Sequence, residues 1–186
     1  MRIDAASNIA RIVEAARTVF AAGDGTGSLT QIAKRAGVGP ATLYRHFPNR
    51  EALARAVFDR IFTSELEPLL VEFGRPGTSH ASLLGVVEQI DAIVQRERGL
   101  IDSLGSARDM GATIAGVLRD HAHQLGPHLA NAQDAGTIRA DVTLEDLPSL
   151  IASVAVALTA LDLPADARGR CNRILLDAFS PQLPRP

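Results

Sequence analysis

The chain has no tryptophan, one tyrosine, one cysteine and a single lysine among its nineteen basic residues. The lone Cys171 excludes an internal disulfide framework and suits a reducing compartment; it reads as a small buried hydrophobe. Aromatic residues supply only 4% of the 186 positions, and the abundance of Ala, Leu and Arg around them favours helix. No apolar run reaches the ~18 residues that a membrane span needs. The start, MRIDAASNIARIV, lacks the long apolar core of a secretion signal. A cytoplasmic protein is therefore expected. No convincing strand is present, so no glycine-rich phosphate loop can follow one, and no nucleophile elbow occurs. His121 and His123 suggest a metal pair, but residues two apart on a helix point to different sides. Zinc needs three or four convergent ligands, and no second cluster is near. Neither an enzyme, a cofactor nor a metal is expected.

What the chain does have is uneven charge. Residues 1–60 hold nine basic and five acidic side chains, a balance of +4; residues 61–186 hold ten against sixteen, a balance of −6. A basic first third is what phosphate binding requires, and an acidic remainder keeps the other surface off a polyanion.

The most informative stretch lies in that basic third: SLTQIAKRAGVGPATLYRHF, residues 28–47. Leu29, Ile32, Ala33 and Ala36 fall at helical spacing behind Ser28, a good N-cap. Gly37 can take the positive φ that ends a helix, and Val38 can turn inward. Gly39-Pro40 opens a second helix, because proline at the first helical position loses only an N–H without a partner. Leu43 and Phe47, four apart, share its inner face. Helix, glycine turn, helix is the plan of a helix-turn-helix, whose second helix enters the DNA major groove.

The string SLTQIAKRAGVGPATLYRHFPNREAL is more specific than its periodicity. It resembles the DNA-binding signature of the TetR family of bacterial repressors, whose closing TLY…F…EAL run is matched from Thr42 to Leu53. The motif resemblance covers roughly residues 5–62. Beyond it, only the helical pattern and the junction AGTIRADVTLEDL are similar to the family. The resemblance implies an all-α protein of about nine helices: a helix-turn-helix domain (1–50), a connecting helix (51–73) and a ligand-binding and dimerisation domain (74–186). It implies a homodimer that represses a near-palindromic DNA operator until a small-molecule effector binds. The rival is a helical small-molecule-binding protein or enzyme with a degenerate head.

Nine residues are candidate DNA contacts. Thr42 and Tyr44 carry hydroxyls for phosphates or base edges, Arg45 suits guanine or phosphate, and His46 can donate to phosphate. Pro40 and Ala41 offer small apolar surfaces for thymine methyls. Thr30 and Arg50 match family contact positions, Arg50 as a phosphate anchor. Gly39 stands where the family often has a polar residue and gives up a side-chain contact.

The helices expected along the rest of the chain are 5–22, 50–73 with a bend near Pro68, 79–98, 100–105, 107–135 interrupted at Gly126-Pro127, 144–161 and 166–179. Arg2 is expected in a short arm, and the glycines of 23–27 in a loop. Leu84, Val87, Ile90, Met110, Ile114, Val117 and His121 are candidates for an effector pocket. For His121 two readings stay open, a satisfied core histidine or a polar handle on the ligand. Leu150, Val154, Ala157, Leu158, Ile174, Leu175 and Ala178 on the last two helices are candidates for the dimer interface. The helix from residue 144 is apolar nearly all round, so it should be buried on more than one side.

Overall fold

The computed structural model describes residues 2–22, 28–103, 106–160 and 163–181. All regular structure among them is helical: α1 (Arg2–Ala21), α2 (Leu29–Ala36), α3 (Pro40–His46), α4 (Arg50–Ile61), α5 (Glu67–Phe73), α6 (His80–Arg96), α7 (Arg98–Asp102), α8 (Ala107–Asp120), α9 (Ala122–Asp134), α10 (Asp146–Ala160) and α11 (Ala165–Phe179), with one π turn, Phe62–Leu66, between α4 and α5. The expected glycine loop 23–27 lies outside the described residues.

The caps follow the sequence. Ser28 and Gln31 form a reciprocal capping box on α2, with both hydrogen bonds at 3.1 Å. The Asn49 side chain accepts from the Ala52 amide at 2.8 Å and starts α4. Thr143 and Asp146 cap each other before α10, the Thr143 amide donating to the carboxylate at 3.0 Å. That start places Pro148 in the first turn, where its missing N–H costs nothing.

Four expectations need correction. Residue 2 is the first residue of α1, so Arg2 is not in a separate arm. The irregularity in the connecting helix falls at the π turn, ahead of Pro68, which sits in the first turn of α5. Thr63 and Ser64 lie in that turn, and their hydroxyls donate back to the Asp59 and Arg60 carbonyls (2.7–3.2 Å). The break expected at Gly126-Pro127 falls instead at His121. Pro127 is inside α9, and the carbonyl it cannot serve belongs to the exposed His123, where water can. On α6, where helical spacing points Leu83, Leu84, Val87, Ile90 and Val94 inward, the buried residues are Leu83, Val86 and Ile93, and the other four expected residues are only half-buried. Val86 had been missed because its neighbours offered an equally good apolar line.

Two cores organise the packing. The first gathers Ile12, Ala16 and Phe20 of α1, Ile32 and Ala33 of α2, Leu43 and Phe47, and Leu53, Val57 and Ile61 of α4; Ile93 and Leu100 from α6 and α7 close it. The second collects Phe62, Met110, Ile114, Val117, Leu118, Leu125 and Ala152. Phe58 and Leu66 touch both.

A charged group fastens the first core's α1 to the body. Arg17 donates to Glu65 at 2.6 Å and to Glu97 at 2.6 and 3.1 Å; Arg96 donates to Glu97 at 3.0 Å and also to Glu65. Glu97 is buried at 5% exposure, so its charge depends on these partners. Burial opposes the charge on Glu65, but hydrogen bonds from Arg17 and Arg96 outweigh it and hold that carboxyl below its usual range. Replacing Glu97 by Gln leaves Arg17 facing a neutral amide. The expected cost is ~1.5–3 kcal/mol, the worth of a hydrogen bond to a charged group. Urea unfolding of the wild type and Glu97→Gln checks it; equal midpoints would remove the group from the account of stability.

Candidate nucleic-acid interface

The first three helices present α3 to solvent on a fixed base. Leu43 is fully buried and Phe47 nearly so, which sets the rotation of α3. Its opposite side then faces out: Pro40, Ala41, Tyr44 and Arg45 are exposed, and Thr42 and His46 half-exposed. Tyr44, at 49% exposure, is an aromatic ring left in water. Gly39 is the N-cap, with φ −69° and no side-chain cap bond, and no atom lies within 4 Å of where a Cβ would be. Thr30, on α2, is exposed as well.

Arg50 differs from the expectation of a phosphate anchor. Its guanidinium lies over the Phe20 ring, 4.6 Å from the centroid, and its Nε donates to the Ser103 carbonyl at 3.3 Å. The ring face and the carbonyl draw it inward, so it braces α4 against α1 and the α7 end. The other eight candidates are at the surface.

One functional support was not foreseen. Arg11 stands on the polar side of α1, which alone suggests a solvated charge. Instead, it reaches the end of α2. Its Nε donates to the Ala36 carbonyl at 3.0 Å, and Nη2 donates to the same oxygen and to the Gly37 carbonyl at 2.9 Å. A cation at a helix C-terminus satisfies orphan carbonyls and opposes the negative end of the dipole. Gly37 completes that end at φ 65°, with its amide on the Lys34 carbonyl at 3.1 Å and the Val38 amide on the Ala33 carbonyl at 3.0 Å. A Cβ on Gly37 would stand 2.8 Å from Arg11 Nη2. The turn that aims α3 therefore needs glycine for its φ, and a Cβ there would also make the tip of Arg11 move. No spacing rule marks Arg11; a cation one helix away from a Gly37-type turn is visible only once the helices are packed.

The effector candidates divide between two places. Met110, Ile114 and Val117 are in the second core, against Phe62. Leu84, Val87 and Ile90 are half-buried on α6, which packs on α5 and α11. His121 is at the α8–α9 junction, its Nε2 2.7 Å from Asp59 Oδ1 and its ring 4.5 Å from that of Phe62. An open groove of about 460 Å³ runs between α8 and α10 and a second of about 290 Å³ between α4 and α8; none of the seven candidates lines either. Of the interface candidates, Leu150, Ala157, Ile174 and Ala178 are exposed, Ile174 at 66%, while Val154 and Leu175 are half-buried. The Leu158 side chain lies outside the described residues. So α10, expected to be covered on several sides, leaves one apolar side open in the single chain. Among the described residues no group of three or more His, Cys, Asp or Glu is placed to hold a metal, and no helix is long and apolar enough to cross a membrane.

Gly37→Ala is expected to cost ~1–2 kcal/mol for the left-handed backbone alone, and to displace Arg11. Thermal unfolding should show the loss, and Arg11→Met should recover part of the second effect in the double variant. Simple additivity of the two losses would mean that Arg11 and Gly37 act independently.

Residues 12–57 match the family model for bacterial regulatory proteins of the tetR family. Residues 82–180 match the model for the C-terminal domain of SbtR-like transcriptional regulators. A TetR transcription regulatory protein from Mycobacterium vanbaalenii is 30% identical, covering 97% of this chain and 99% of that one, with a TM-score of 0.52. GusR of Salmonella enterica is 26% identical over 92% of this chain and 94% of that one, with a TM-score of 0.55. The transcriptional regulator FadR of Bacillus subtilis, solved with stearoyl-CoA, is 19% identical over 89% and 96%, with a TM-score of 0.59, and shows the fold alone. No curated protein sequence matches the chain. With both parts matched and a 30% identical relative along nearly its whole length, the chain belongs to the TetR family of transcriptional regulators and is a DNA-binding helix-turn-helix protein.

Proposed function

We propose that the protein is a cytoplasmic, homodimeric repressor that binds a near-palindromic operator and leaves it when a small-molecule effector binds the body. The observation that carries the reading is α3: a short helix fixed from behind by Leu43 and Phe47, with Thr42, Tyr44, Arg45 and His46 turned outward on a basic head. Thr30, Pro40 and Ala41 extend that outward surface. One helix of this length buries too little surface for useful specificity, so two heads are needed. A C2 dimer sets them ~34–36 Å apart, one turn of DNA. The open apolar side of α10 and α11, with Leu150, Val154, Ala157, Ile174, Leu175 and Ala178, is the surface suited to pairing with a second copy.

The effector is placed in the body among the middle helices; Met110, Ile114 and Val117 are packed in the second core and Leu84, Val87 and Ile90 are half-buried on α6, so a ligand that reaches both sets must part those helices. The Bacillus subtilis regulator of this fold was solved with stearoyl-CoA, which is a property of that protein. Here the constraint is energetic. Moving a DNA-competent population from 99:1 to 1:99 takes ~5.5 kcal/mol of differential affinity, so the effector must bind the released form far better.

Footprinting on the chain's own upstream region tests the reading. Wild type should protect a short near-palindrome, and Arg45→Ala should weaken it by ~1–3 kcal/mol, the worth of a good base contact. Tyr44→Ala with Arg45→Ala should abolish the footprint while the helical content stays unchanged. Affinity should fall steeply with salt as phosphate contacts release counterions. A failure both there and in selection from random DNA would sink the repressor reading and direct attention to ligand chemistry in the body.

A further inference from the structure

His121 occupies a position that DNA binding does not explain. It ends α8, begins α9, and faces the last turn of α4 just before the π turn. Both ring nitrogens meet acceptor oxygens: Nε2 is 2.7 Å from Asp59 Oδ1, and Nδ1 is 2.5 Å from Gln124 Oε1. The imidazolium serves both oxygens as they stand and adds its charge to the bond with Asp59; a neutral ring protonated on Nε2 keeps an uncharged donor on Asp59 and requires Gln124 to turn its amide N–H toward Nδ1. The ring also packs on Phe62, 4.5 Å between centroids at 30°, and Phe62 is the first residue of the π turn. One residue therefore ties the body to the helix that carries the head, at the point where that helix is irregular.

The surrounding charges support this arrangement. From α4, Asp59 faces the ring and Arg55, one turn back, pairs with Asp120 of α8. The Arg55 guanidinium fits there because Gly116 has no Cβ to meet it. Glu67 of α5 adds negative potential. Arg119 and His123, beside the junction on α8 and α9, are exposed. The net field at the ring is acidic.

We propose that His121 is a protonation-controlled latch: as imidazolium it forms a charged bond to Asp59 and holds α4 and the π turn against the body, and as the neutral ring it loses that charge and loosens them. Burial acts against the charged ring, but its hydrogen bonds to Asp59 and Gln124 outweigh it and raise the His121 pKa above its ordinary 6.5. The sign follows from linkage. A raised pKa means the latch contributes fully below pH ~6.5 and is lost as pH rises through the folded value. The latch thus makes the stiffness of the head–body connection depend on pH near neutrality.

Hydrogen exchange on the full chain tests it without any DNA, so it can fail separately from the operator reading. Protection factors, corrected for intrinsic rates, are read for amides 59–66 at pH 6.0 and 8.5. The wild type is expected to lose at least threefold in protection across that range, with a midpoint matching the His121 titration by NMR. Asp59→Asn and His121→Gln should be low at both pH values and flat between them. Protection that is flat in the wild type, or that falls equally in the variants, overturns the latch. If the variants do not fold, the wild type decides alone: coincident midpoints for His121 and for amides 59–66 support the latch, and separate midpoints overturn it.

Discussion

Ile61 and Phe62 are neighbours in the chain and belong to different cores. Each is 1% exposed, one packed with the head and the other with the body. In a helix adjacent side chains are about 100° apart, so neighbours can face different surroundings. The π turn starts at Phe62, where the chain passes from one core to the other, and Phe58 and Leu66 pack against both cores. Burial of these few apolar side chains fixes where the head sits. The head cannot turn without withdrawing apolar surface from one core or the other.

Polar contacts then set how firmly that position is held. On one side of the seam, Arg17 and Arg96 share Glu65 and Glu97; on the other, Arg55 and Asp59 meet Asp120 and His121. The first group is built around the buried Glu97 and sets carboxylates against arginines, which stay charged at any ordinary pH. The second is more exposed and includes the one titratable partner that changes charge in that range. A ligand that moves the body helices has to work against both, and the two respond to different conditions. This arrangement makes the connection between head and body the natural place to regulate a DNA-binding protein of this fold.

The head was legible because its constraints are local. Ser28, Gly37, Gly39, Pro40 and Asn49 act on their own backbone or on residues two or three away, and Leu43 and Phe47 fix a face within one helix. The body was less legible. Its aliphatic helices offer several equivalent apolar lines: on α6 the spacing finds Leu83 but not Val86 and Ile93, and it favours Leu84, Val87 and Ile90, which are only half-buried. Pro127 was given more power to break a helix than an exposed site allows, and Pro68 was credited with a bend that belongs to Phe62. Arg50 matched a contact position by its place in the motif, yet the Phe20 ring and the Ser103 carbonyl took it inward.

What the sequence determined by itself is the helical class, the start and end of each head helix, and the outward set Thr42, Tyr44, Arg45 and His46. Short-range backbone chemistry and the helical period suffice for these. Only the tertiary structure decided that Arg11 closes α2, that Arg50 faces Phe20, that Glu97 is a buried charge, and that His121 faces Asp59. Each joins residues 25 to 80 positions apart, on helices whose packing angle no local pattern encodes. Long polar side chains reach several ångströms in any direction, and only the packed neighbours settle which partner they find.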